Sequence, residues 1–196
     1  MATGGRGGGH PDRRQQIIAA GLAVFSSSGF HAGSVRDIAR RAGLSQAGLL
    51  HHFPSKAHLL RAVLAWRDDT ARRQLGEPAP DGLDLIRRLA ALPAVTRSRE
   101  LVQLQVITLA EGVAPGHPVH GYIRQRQASA VDMVRQALEH AAASGDLRED
   151  VDCAGTARML VAVIDGLQIQ RLLHPEQADI TGDLRRWLRP LLTVDL

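Results

Sequence analysis

Apolar positions recur at helical spacing along almost the whole chain. The clearest stretch is Ser34 to Lys56, SVRDIARRAGLSQAGLLHHFPSK. Val35, Ile38, Ala39 and Ala42 form one stripe, so the spacing predicts a short helix. Ser34 stands three residues before Asp37, a capping-box spacing for its start. Gly43 ends it, because a left-handed residue without a Cβ closes a helix at no steric cost. Ser45 caps the next helix and Leu49 returns to the core side. Pro54 disfavours helical geometry at Phe53 and closes it, and Ser55 caps a third. A small Ala39, a glycine in the turn and Leu49 plugging the crossing describe two helices packed steeply over a tight turn. That is a helix-turn-helix unit, whose second helix enters a DNA major groove. The same spacing also fits an αα-hairpin with no nucleic-acid role.

The remaining elements follow from the same periodicity. Asp12 to Ser27 is a helix with Ile17, Ile18, Leu22, Val24 and Phe25 inward, ended by Ser28-Gly29. From Ser55 to about Leu75 the stripe is Leu59, Leu60, Val63 and Leu64, a helix about 30 Å long that leaves the first bundle. The breaker GEPAP (76–80) is the first clear boundary. Beyond it the pattern predicts helices over 81–92, stopped by Pro93, then 97–113, 119–143, 153–173 and 183–192. The helix over 97–113 is apolar nearly all round and therefore buried, with Gln105 and Thr108 facing an interior. No strand pattern and no internal repeat appears. The fold class is all-α, with about nine helices. Residues 1–11 read as a disordered Gly-rich arm, 12–54 as a helix-turn-helix domain, 55–76 as a linker helix and 77–196 as an aliphatic helical bundle.

Composition narrows the function classes. Aromatics are only 3% of 196 residues, so the core is aliphatic. Residues 1–76 carry 11 Arg/Lys against 4 Asp/Glu, and residues 77–196 carry 13 against 16. The basic end suits a polyanion partner. Cys153 is the only cysteine, which excludes an internal disulfide framework and fits a reducing, cytoplasmic compartment. No apolar run reaches the roughly 18 residues of a membrane span, and the N-terminus lacks the apolar core of a signal peptide.

Other chemistry is weakly signalled. His117 and His120 are three apart, but no third or fourth metal ligand accompanies them. Asp165 sits in the most apolar helix, as a ligand contact or as a structural hydrogen-bonding group. No phosphate loop, nucleophile elbow or carboxylate pair is present, so an enzyme has no positive support, and no cofactor is called for. The two C-terminal helices carry more apolar surface than a chain end needs. Ala162, Gly166 and Leu173 on one, with Leu184, Trp187, Leu188 and Leu191 on the other, predict a homodimer face.

The run Arg13–Leu64, RRQQIIAAGLAVFSSSGFHAGSVRDIARRAGLSQAGLLHHFPSKAHLLRAVL, resembles the N-terminal domain of the TetR family of transcriptional regulators. The resemblance implies an all-α homodimer on a palindromic double-stranded DNA operator, released by a small-molecule effector held in the C-terminal bundle. It implies that Ser34 and Ser45 meet phosphates at helix starts. It places Arg36, Gln46, Ala47 and Gly48 at the groove or its rim, His51 and His52 against the backbone, and Lys56 on a phosphate. Lys56 is also the only lysine, beside 23 arginines. Two positions depart from the pattern. The common tyrosine before the histidine pair is Leu50, left to contact a thymine methyl or to pack, and the frequent glutamate after the linker cap is His58. Gln46 is then the best direct base reader, of adenine. For the effector pocket the sequence suggests Gln105, Thr108, Met133, Arg158 and Met159. A bundle that binds ligand but has lost its DNA function is the rival. It would show no salt-sensitive, sequence-specific DNA binding.

Overall fold

The computed structural model describes residues 12–76, 80–95, 98–176 and 179–195. The arm over 1–11 and the middle of the GEPAP breaker lie outside the described residues. Nine α-helices follow one another: α1 (Arg13–Ala32), α2 (Val35–Arg41), α3 (Gln46–His52), α4 (Lys56–Leu75), α5 (Gly82–Val95), α6 (Arg99–Gly112), α7 (His120–Ala143), α8 (Cys153–Leu173) and α9 (Ile180–Leu188). A 3-10 turn, Arg189–Leu191, ends the series. Among the described residues the only β pairing is one isolated bridge, Leu147 to Leu192. With Arg148 N–H donating to the Leu191 carbonyl (3.0 Å) and Thr193 N–H to that of Asp146 (3.0 Å), it ties the C-terminal segment to the α7–α8 loop.

Three helix ends differ from the periodicity for local reasons. The α1 segment runs one turn past Ser28-Gly29, bent at Gly29 with φ 67°. The Glu111 carboxylate from α6 occupies the space a Cβ would take at Gly29, and it accepts the Phe30 N–H at 2.8 Å. Glycine and the distant carboxylate together make the kink. Helix α5 continues through Pro93 to Val95. In a last turn proline forfeits one hydrogen bond and its fixed φ is already helical. Helix α9 starts before Asp183 because Asp179 accepts the Gly182 N–H at 3.0 Å.

Apolar residues gather in two cores. The first joins α1 to α4 around Phe25, Ile38, Leu49, Leu59 and Leu60, and it also takes in Leu104 of α6, Ile123 of α7 and Val119 just before it. The second joins α5, α7, α8 and α9 around Ile86, Leu138, Leu160 and Leu184. Helix α4 serves both: Leu59 to Leu64 lie in the first core and Leu75 packs on the second. Helix α1 lies on α6 and α4, so the N-terminal bundle is seated on the C-terminal one. Each fully buried leucine of these cores contributes about 1.5–3 kcal/mol of transfer free energy.

Candidate nucleic-acid interface and interior cavity

Helices α2 and α3 form the helix-turn-helix, and a serine caps the start of each and of the following α4. Ser34 Oγ accepts the Asp37 N–H (3.3 Å), Ser45 Oγ that of Gly48 (3.0 Å) and Ser55 Oγ that of His58 (3.2 Å). Gly43, at φ 66°, turns the chain, and Leu44 N–H then closes on the Ala39 carbonyl at 2.9 Å. Leu49, Ile38 and Ala39 are fully buried beneath the turn. Gln46, Ala47 and His51 are exposed on one side of α3, with Gly48 and Leu50 half-buried beside them. The half-buried Leu50 side chain packs at the edge of the first core. His52 is exposed, its ring 5.8 Å from that of His51. Arg40 is paired with Asp37 at 2.7 Å, whereas the exposed Arg36 and Arg41 have no acceptor among the described residues. Arg36, Arg41, Gln46 and the two histidines are thus unengaged donors around the exposed side of α3, the inventory that phosphates and base edges require.

Lys56 is more engaged than a phosphate contact needs. Its ammonium donates to the carbonyls of His31 (3.2 Å) and Gly33 (3.0 Å) and sits 4.5 Å from the centre of the Phe30 ring. It therefore cross-links the end of α1 to the start of α4, with one N–H left. Beside it, the buried His117 stacks edge-on against Phe30 and His31. His117 Nδ1 accepts the Val119 N–H at 3.4 Å, so Nε2 carries the proton, 3.7 Å from Glu111 Oε2 and without a hydrogen-bond partner among the described residues. His120 turns away, its Nδ1 against the Gly112 carbonyl at 2.8 Å. Burial pushes the His117 pKa below its ordinary 6.5, with Glu111 opposing and His31 reinforcing.

The unfolded chain therefore binds a proton that the folded one refuses. This contribution to stability is complete above pH 6.5 and is lost as pH falls towards the folded value. Thermal denaturation should accordingly show the midpoint falling as pH drops below 6.5, and His117→Asn should flatten that slope. An unchanged slope in the variant would reject the assignment.

A cavity of about 440 Å³ opens between α4, α5, α6, α7 and α8. A smaller chamber of about 80 Å³ adjoins it, and the two share Arg67, Gln105 and Gln168 on their walls. Arg67 and Asp68 come from α4, Tyr122, Gln127 and Met133 from α7, and Ile164, Asp165 and Gln168 from α8. Arg67 Nη1 (2.8 Å) and Arg126 Nε (2.9 Å) both donate to Asp68 Oδ1, and the Tyr122 hydroxyl donates to Oδ2. Burial, then Arg126, push the Arg67 pKa down to about 10. Burial, then the hydrogen bond to Asp68, raise that of Tyr122, which stays a phenol. Across the cavity Asp165 accepts Gln105 Nε2 and Gln127 Nε2, each at 2.9 Å. Asp165 is therefore at once a hydrogen-bonded group and a wall residue. Gln168 Oε1 is buried with no partner among the described residues.

Of the five residues expected to line a pocket, Gln105 and Met133 stand in this wall. Thr108, Arg158 and Met159 do not. The Thr108 hydroxyl turns back onto the Leu104 carbonyl (2.6 Å), Arg158 points to solvent, and Met159 borders a separate shallow groove near Pro190. Sequence reasoning missed Arg67, Asp68, Arg126 and Gln127. The signal was available: Arg67 and Asp68 continue, four residues on, the stripe of Val63 and Leu64, where a polar residue marks an interior that is not filled by side chains.

The expected dimer face also needs correction. Leu184 and Leu188 are fully buried in the second core of the same chain. An amphipathic helix must first cover its own core, and α9 spends these leucines there. Ala162, Ile169 and Leu173 on α8 remain exposed, Gly166 borders open space, and Trp187 and Leu191 are half-buried.

This chain belongs to the tetR family of bacterial regulatory proteins. Residues 17–63 match the model of that family, described as "Bacterial regulatory proteins, tetR family", and residues 89–193 match "BetI-type transcriptional repressor, C-terminal". The family consists of transcriptional regulators, not enzymes. Among curated relatives, the HTH-type transcriptional regulator TtgR of Pseudomonas putida is 29% identical, over 90% of this chain and 88% of its own. UidR of Escherichia coli K12 is 24% identical, over 92% and 93%. Among solved structures, Salmonella enterica GusR superposes with a TM-score of 0.74 at 27% identity, covering 93% of this chain and 96% of its own. A regulator from Saccharomonospora viridis in complex with choline superposes at 0.78 with 21% identity, covering 92% and 98%. Among the described residues no helix is long and apolar enough to cross a membrane.

Proposed function

We propose that the chain is a homodimeric repressor that holds a palindromic operator through α2 and α3 and releases it when a small molecule enters the cavity beneath α4. The observation that carries this reading is the continuity of α4. Its first turn holds Lys56 against α1, its middle lies in the core under the helix-turn-helix, and Arg67 and Asp68 form a cavity wall. A ligand that displaces that wall moves a helix rooted in the DNA-binding bundle. Residues 12–54 then act as the DNA-binding unit, 55–76 as the connecting helix and 77–196 as the ligand-binding and dimerisation unit. The BetI-type repressor match over 89–193 supports repression rather than activation. In this reading Ser34, Ser45 and Lys56 meet phosphates, and Arg36, Gln46, Ala47, Gly48, Leu50, His51 and His52 line the groove. The two recognition helices of the dimer stand one helical turn of DNA apart, about 34–36 Å. Binding to chromosomal DNA places the protein in the cytoplasm.

Fluorescence anisotropy on DNA flanking the coding region tests it. Binding should be specific and fall steeply with salt. Gln46→Ala should cost about 1–3 kcal/mol at one base position and relax preference there. Lys56→Met should weaken all sequences about equally and also lower the thermal midpoint, because it removes both carbonyl contacts on α1. Absence of salt-sensitive, sequence-specific binding there and genome-wide would reject the proposal.

A further inference from the structure

The charges around the cavity are not balanced locally. On the α4 wall one carboxylate, Asp68, serves two guanidiniums, Arg67 and Arg126, through the same oxygen, while the Tyr122 hydroxyl takes the other. The side chains of Arg67, Asp68 and Arg126 are 11%, 22% and 24% exposed, so bulk water screens the group poorly. Two cations on one anion leave one formal positive charge uncompensated, and Arg67 has no other acceptor among the described residues. A half-buried guanidinium with unused N–H groups is costly until an acceptor arrives.

The opposite wall makes no such demand. Asp165 is a single carboxylate solvated by two neutral amide donors, one from Gln105 and one from Gln127. Its charge is met by hydrogen bonds, with no cation partner among the described residues. Between the two walls lie apolar surfaces from Leu89, Leu92, Met133 and Ile164, which an inorganic anion would leave uncovered.

We propose that the effector is an amphipathic organic anion, its carboxylate or phenolate paired with Arg67 and Arg126 and its apolar body laid along Leu89, Leu92, Met133 and Ile164. The proposal rests on the reading of this cavity as the effector site. It adds that the ligand's charge is received in part on α4 itself, through Arg67, with Arg126 of α7 completing the pair. An anion there competes with Asp68 for the guanidiniums and so acts on a wall that leads directly to the DNA-binding bundle.

Titration calorimetry with octanoate, octanamide and octylamine separates the alternatives, because the three share one apolar body and differ in head-group charge. Octanoate should bind roughly tenfold tighter than octanamide, and octylamine most weakly. Arg126→Gln leaves Arg67 and Asp68 as a neutral pair. It should erase the preference for octanoate while octanamide binds as before. Arg67→Gln should do the same, and the ranking on the unaltered protein decides the matter if neither variant folds. Equal binding of octanoate and octanamide overturns the anion, as does tightest binding of octylamine, which would place the head group at Asp165; both leave the effector cavity standing. Binding of none of the three overturns the cavity reading and the anion with it.

Discussion

Leu49→Ala is expected to lower the unfolding free energy by about 2–5 kcal/mol and to abolish specific DNA binding. Leu49 is fully buried in the cluster that holds Ile38, Ala39, Phe53 and Leu60. It fills the crossing of α2 and α3, and each of these helices is only 7 residues long. Helices so short have no independent stability and persist only through packing. Removing the plug therefore leaves a cavity and also frees α3 to reorient. Ala39 beneath it has no side chain long enough to collapse into the space, which puts the cost towards the upper part of the range. Chemical denaturation monitored by circular dichroism gives the number, and anisotropy gives the loss of DNA binding. Gln46→Ala, on the exposed side of the same helix, should change stability by no more than about 0.5 kcal/mol. A loss below about 1 kcal/mol for Leu49→Ala would show that the site collapses freely and that Leu49 does not fix the crossing.

The contrast between these two neighbours marks what the sequence makes legible. Around Leu49 every constraint is local. The caps at Ser34, Ser45 and Ser55 act three residues ahead, and Gly43 answers a backbone requirement of its own position. Such signals survive without any alignment because their partners lie within one turn. The Gly29 kink was only half legible: the glycine announces a break, but the carboxylate that fills the vacant Cβ position arrives from Glu111, 81 residues from the N–H it accepts. The cavity was least legible, since its polar wall is held by hydrogen bonds between residues distant in sequence, as in the pair Gln105 and Asp165, 60 apart. Lys56 shows the opposite limit. The resemblance gave it a phosphate, and nothing in the spacing indicated that its ammonium also closes the end of α1.

The C-terminal helices pose the same problem in a form that an experiment resolves. Periodicity cannot say whether an apolar face covers its own core or a partner's, and α8 and α9 answer differently. Leu184 and Leu188 are buried within the chain, whereas Leu173 is 68% and Ile169 44% exposed. Two large exposed aliphatics on one helix, with Gly166 open to close approach between them and Ala162, leave apolar surface that a second copy would cover. Ile169→Glu combined with Leu173→Glu should therefore convert a dimer to a monomer in analytical ultracentrifugation. The dimer constant should weaken by about 100-fold or more, because a carboxylate in each desolvated contact removes at least about 2 kcal/mol. Operator affinity should fall further than either half-site alone explains, since linking two half-sites multiplies the affinity of each. Leu184→Glu is the necessary contrast. It buries a charge inside the protomer and should unfold the C-terminal core itself, not produce a folded monomer. A double variant that stays dimeric would place the interface elsewhere, and a Leu184→Glu protein that folds as a monomer would return α9 to the partner.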